Sequence, residues 1–132
     1  MRSGTIVPKK PTLPPLSDRQ LEIMDVIWQR GETTVGEVWT ELSRARDIAR
    51  NTIQTTITRL EEKGWLRHRA EGKTFYYRAT QPSDDARKKM ARRLLDTVFE
   101  GSTENLLRAI LDQKPLSQDE ADHIRTLIDD SQ

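Results

Sequence analysis

The apolar residues of this chain change their spacing twice, and that order of periods restricts the fold more than any single residue does. Leu21, Met24, Ile27 and Trp28 recur at the 3.6-residue helical period, as do Val35, Val38, Trp39 and Leu42, and then Ile53, Ile57 and Leu60. Between Trp65 and Thr80 the pattern turns aromatic and basic, in "WLRHRA" and "KTFYYRAT", with Gly72 supplying a turn. From Ser83 the helical spacing returns for three more segments. The order predicts three helices, a β-hairpin and three further helices: a mostly α chain with a small hairpin.

Residues at the segment ends agree with these boundaries. Ser17 followed by Gln20, and Ser117 followed by Glu120, have capping-box spacing, in which each side chain satisfies an otherwise unpaired backbone donor. Thr34 is placed to cap the second helix and Ser102 the fifth, while Gly31 closes the first and Gly64 is read as the C-cap of the third.

The third helix shows two opposed faces. Ile53, Ile57 and Leu60 fall within an arc of about 60°, whereas Asn51, Thr55 and Thr58 lie on the opposite side. Threonine is a mediocre helix former because branching at its β-carbon restricts the rotamers. A ridge of short polar side chains flanked by Arg50, Gln54 and Arg59 therefore points to contact with a ligand, not to helix stability.

Charge is distributed unevenly. Nine basic and four acidic residues lie between Arg44 and Arg78, against two basic and six acidic between Asp112 and Asp130, so one end is suited to a polyanion. Hydrophobic content of 34% is low beside the usual ~45–50% (Gly included), which predicts a core completed by a second copy. Zero cysteines exclude disulfides and thiolate metal sites, and His68 and His123 are read as solvent-facing bystanders. No metal, cofactor or catalytic constellation is expected. Neither a signal peptide nor a membrane span is legible, so the expected location is the cytoplasm.

Three helices followed by a hairpin is the order of a winged helix-turn-helix, in which one helix enters the major groove and the hairpin touches the backbone beside it. The predicted division is a flexible, Pro-rich basic tail over 1–15, a winged-helix DNA-binding domain over 16–80 and a helical dimerisation region over 81–132. Within the recognition helix, about 50–63, the candidate DNA contacts are Arg50, Asn51, Thr52, Gln54, Thr55 and Thr58. In the wing, 66–78, they are Arg67, Arg69 and Lys73. Asn and Gln can bond an adenine edge twice, the threonine methyl suits thymine, and the cations suit phosphate. The ring of Tyr77 is assigned with Phe75 to one strand face, mainly for packing. Trp28, Trp39 and Trp65 are assigned to core or inter-helix contacts. Leu94, Leu95, Val98, Leu106, Leu107, Ile110, Leu111, Ile124, Leu127 and Ile128 are the candidate dimer contacts. The alternative is a winged-helix protein-interaction adaptor without a DNA ligand, which would carry apolar or acidic residues where this chain is polar and basic.

The segments "LSDRQLEIMDVIW", "NTIQTTITRLEEKGWLRHRAEGKTFYYRAT" and "SDDARKKMARRLLDTVFEGSTENLL" resemble the penicillinase-repressor (BlaI/MecI/CopY) family of bacterial transcriptional regulators. The resemblance implies a homodimeric repressor on a dyad-symmetric operator, with interlocking C-terminal helices. Copper-responsive members end in a cysteine-rich metal motif that this chain lacks. In members released by proteolysis, a membrane sensor protease acts upstream and the cut falls at an Asn-Phe bond; the aligned residues here are Ala109 and Ile110.

Overall fold

The computed structural model describes residues 13–132. In chain order they form α1 (Asp18–Arg30), α2 (Val35–Ser43), α3 (Arg50–Glu62), β1 (Leu66–Glu71), β2 (Thr74–Ala79), α4 (Ser83–Val98), α5 (Thr103–Gln113) and α6 (Gln118–Asp130). This is the element order that the periodicity predicts. The basic tail expected over 1–15 lies outside the described residues as far as residue 12. Its last residues are engaged: Leu13 packs on the core, and the Pro14 carbonyl accepts a 2.9 Å bond from the Trp65 indole.

The capping box at Ser17 forms as expected, with Gln20 N donating to Ser17 Oγ at 3.2 Å and Ser17 N to Gln20 Oε1 at 2.9 Å. Thr34 makes a second box with Glu37, a reciprocal bond that went unread in the sequence. At α6 only half of the expected box is present: Ser117 accepts from Glu120 N at 3.1 Å, and no return bond from Glu120 is formed. Gly64 lies one residue beyond the cap position, Lys63. Its φ of 93° permits a Schellman turn, with Trp65 N bonding Leu60 O at 2.9 Å and Gly64 N bonding Glu61 O at 3.0 Å.

One core holds the first five elements together. Ile23, Met24 and Ile27 of α1, Val38 of α2, and Ile53, Ile57 and Leu60 of α3 are fully buried, with Trp65, Leu66 and Tyr77 closing the cluster from the hairpin. The expected α1 stripe needs correction. Ile23 and Val26 are buried, whereas Leu21 and Trp28 are only half-buried. Helix α1 touches α2, α3 and β2, so its apolar arc is wider than one stripe.

The hairpin pairs antiparallel from Leu66↔Ala79 to Glu71↔Thr74, so Ala70 and Glu71 belong to the strand and the turn is Gly72–Lys73. A contact without a sequence signal completes the sheet: Thr33 bridges Tyr77 through bonds of 3.0 Å and 2.7 Å. These bonds fasten the wing to the turn before α2.

The chain divides into two compact units after Arg87, inside α4, and not at residue 80. The first turn of α4 belongs to the winged unit because Ala86 is fully buried there and Trp28 Nε1 donates to Gln81 O at 2.9 Å. In the second unit, α5 and α6 bury no residue at all. Among the candidate dimer contacts, Leu94, Val98, Leu107, Ile110, Leu111, Leu127 and Ile128 are exposed, and Leu95, Leu106 and Ile124 are half-buried.

Candidate nucleic-acid interface

Burial of Ile53, Ile57 and Leu60 turns the other side of α3 outward, and Arg50, Asn51, Gln54, Thr55, Thr58 and Arg59 are all exposed. Thr52 is the least exposed of the expected set. It is half-buried, and its carbonyl accepts the Thr56 hydroxyl at 2.8 Å. The Thr58 hydroxyl donates to Gln54 O at 3.0 Å. Bonding of this kind from Thr to the preceding turn occupies a hydroxyl that would otherwise compete for solvent.

The N-terminus of α3 has no side-chain cap, because Ala49 occupies the cap position. The backbone donors of Arg50 and Asn51 and the positive end of the helix dipole are thus available there, while Thr52 N bonds Ala49 O at 3.0 Å. Arg50 lies over Gly36, its guanidinium 3.3 Å from the point where a side chain at that glycine would begin. A cleft of about 400 Å³ runs from here to the hairpin, lined by Thr34, Gly36, Arg50, Gln54, Lys73 and Thr74. Thr34, Gly36 and Thr74 are additions that sequence spacing could not supply, because they reach the cleft only through the packing of α2 and the hairpin against α3.

The three wing cations have different surroundings. Lys73 sits at the turn and Arg67 stands opposite Arg78 on the outer strand face, all three exposed and without an ion pair among the described residues. Like charges directly opposite each other are destabilising in a hairpin unless an anion approaches. Arg69, unlike the other wing cations, is held in ion pairs. Its Nε and Nη2 bond Glu32 at 2.8 to 3.1 Å, its Nη1 bonds Glu71 at 2.7 Å, and its guanidinium lies 4.5 Å from the Tyr76 ring centroid. With its donors so engaged, Arg69 braces the wing. Arg78, which the basic run of the hairpin also places to meet phosphate, is exposed and available.

His68 is likewise no bystander. Its Nδ1 lies 2.6 Å from Glu61 Oε2, and its ring stacks on Phe75 at 4.1 Å between centroids, tying β1 to the end of α3. Of the aromatic pair assigned to packing, Tyr77 is buried in the core while Phe75 remains 45% exposed under this stack.

Hydrogen bonds from Arg69 hold the Glu32 carboxyl below the usual carboxylate range. A depressed folded-state pKa contributes stability that is present above the ordinary value and is lost as pH falls through the folded one. Below about pH 4 the melting temperature of the parent is expected to fall more steeply than that of Glu32→Gln. Parallel slopes in pH-dependent thermal melts would remove the brace assignment.

Helices α2 and α3 with the hairpin that follows, and the polar, cation-flanked face they expose, define a winged helix-turn-helix protein. The model of the penicillinase repressor family matches residues 16–130, and the chain belongs to that family. It is 30% identical over 118 residues to the penicillinase repressor of Bacillus licheniformis, spanning 89% of this chain and 92% of that protein. It is 27% identical over 113 residues to the methicillin resistance regulatory protein MecI of Mammaliicoccus sciuri, spanning 86% and 92%. The solution structure of the DNA-binding domain of the repressor BlaI superposes with a TM-score of 0.51 at 38% identity, over 58% of this chain and 93% of that one. The crystal structure of a cysteine-to-serine mutant of MarR from E. coli gives a TM-score of 0.53 over 88% of this chain and 77% of that one; at 16% identity it shares the fold alone.

Proposed function

We propose that this chain is a sequence-specific, DNA-binding transcriptional repressor that acts as a homodimer on a dyad-symmetric operator. The observation that carries the reading is the outward face of α3, where Asn51, Gln54, Thr55 and Thr58 form an uncharged polar ridge with Arg50 and Arg59 beside it. Such a ridge fits a major groove, where short polar chains meet base edges and flanking cations meet phosphate. Wing contacts to the backbone fall to Arg67, Lys73 and Arg78. Kinship to BlaI, whose solved domain is a DNA-binding domain of a repressor, supports the same assignment.

Gln54 and Arg50 separate base reading from positioning. On a site selected from random DNA, Gln54→Ala is expected to cost about 1–3 kcal/mol and to relax the preference at one base position. Arg50→Ala is expected to weaken all sequences alike and to lower the salt slope by about 1. Fluorescence anisotropy across a salt series measures both. Unchanged affinity in both variants would sink the recognition-helix assignment, and no binding by the parent at low salt would favour the protein-interaction adaptor.

A DNA ligand places the protein in the cytoplasm in this reading. No helix among the described residues is long and apolar enough to cross a membrane. An upstream membrane sensor protease, a ligand and a metal are the alternatives for relief of repression. The Ala109–Ile110 bond lies within α5, so cleavage there requires that helix to open locally. Intact mass after induction tests it: a 1–109 fragment supports the route, and an uncut chain on a derepressed operator rules it out.

A further inference from the structure

The second unit segregates its charges by helix. From Lys88 to Val98, α4 carries Lys88, Lys89, Arg92 and Arg93 against Asp96 alone, while α6 carries Asp119, Glu120, Asp122, Asp129 and Asp130 against Arg125 alone. Every ion pair of this unit stays inside one helix: Arg92 with Asp96 at 3.0 Å, Arg108 with Glu104 at 2.6 Å, and Arg125 with Asp122 at 2.9 Å. Among the described residues, Lys88, Lys89 and Arg93 on α4 and Asp119, Glu120 and Asp129 on α6 form no ion pair. Nor do α4, α5 and α6 pack extensively on one another within the chain. The opposed charges are therefore left unmatched by the fold of one copy.

We propose that in the homodimer the basic α4 of one copy lies against the acidic α6 of the other, and that this opposition of charge sets how the C-terminal helices pair. The inference rests on the homodimer reading above. On α4 the helical period places Arg93 on one border of the Met90–Leu94–Val98 stripe and Lys88 on the other, with Lys89 and Arg92 on the far face. Those stripe residues and Leu127 and Ile128 of α6 are the apolar surfaces to be covered, and Leu94, Val98, Leu127 and Ile128 are exposed in the single copy. Two-fold symmetry produces the contact twice. Pairing α4 with α4 instead would oppose like charges, which disfavours an interface.

Charge reversal on the full chain, read by sedimentation equilibrium, is the test. One variant combines Lys88→Glu, Lys89→Glu and Arg93→Glu; the other combines Asp119→Lys, Glu120→Lys and Asp129→Lys. Each alone is expected to weaken self-association about tenfold or more at low salt. Uniting both sets in one chain, or mixing the two reversed chains, restores a dimer. Parent association weakens as salt rises, and this decides the matter should a reversed chain lose its helical circular dichroism. Unweakened single variants, a combination that stays dissociated, or salt-insensitive parent association overturns the pairing. So does an α4 reversal that lowers DNA affinity with the dimer intact, which would assign those cations to phosphate. A monomeric parent at all concentrations defeats the homodimer itself, whereas a dimeric parent with unaffected variants defeats this pairing alone.

Discussion

Replacing Leu107 with Asp is expected to convert the proposed homodimer to a monomer and to cost about 10²- to 10⁴-fold in affinity for a two-half-site operator. Leu107 is 37% exposed in the single copy, on a helix that buries none of its residues, and Ile110 and Leu111 beside it are more exposed still. A contiguous apolar surface of this kind gains stability only by being covered. A carboxylate placed in the covering interface must be desolvated without a partner, and symmetry exacts that cost twice. Affinity for an isolated half-site should be unchanged, because α3 belongs to the other unit. Sedimentation equilibrium with anisotropy on full and half sites distinguishes the two effects; an unchanged dimer mass would defeat the assignment of the stripe.

Ile57→Ala should destabilise the winged unit by about 2–5 kcal/mol. Ile57 is fully buried between Ile53 and Leu60 on the same helix face, so the lost methyl groups leave a cavity as well as a transfer cost. Native domains have only about 5–15 kcal/mol in hand, so the loss is a large fraction of the total. It also bears on function, since Ile57 anchors the turn that presents Gln54 and Thr58. Urea denaturation gives the measurement, and a midpoint equal to the parent's would contradict the burial. At temperatures where the variant stays folded, its half-site affinity should be close to the parent's, because Ile57 itself has no exposed surface to offer a ligand.

The two faces of α3 were legible because a helix is a local object. Its period assigns Ile53, Ile57 and Leu60 to one side wherever the helix is placed, and the fold needs only to bury that side. The caps at Ser17 and Thr34 were legible for the same reason, since their partners lie three residues away. The ion pairs of Arg69 were not legible because a basic residue in a basic strand gives no local sign of its partner. Glu32 is 37 residues distant and meets it only after the wing has docked. Thr33 and Tyr77, 44 residues apart, illustrate the same limit: their bridge needs a backbone edge that exists only once the hairpin has formed. In α1, three surrounding elements widened an arc that periodicity had drawn as one stripe. The boundary moved into α4 because Ala86 found a place in the winged core, a fact of packing that no composition shift at residue 80 could record.

Sequence by itself determined the order of elements, the polar ridge on α3, the apolar stripes of the last three helices and the opposition of basic and acidic ends. All of these depend on residues within a few turns of one another, where backbone geometry fixes neighbours. Tertiary structure decided which cations remain available, which are spent on Glu32 and Glu71, and where the wing is fastened. Those depend on side chains brought together across loops, and Coulombic and hydrogen-bonding partners are chosen by distance in space, which the period of a helix or strand does not encode.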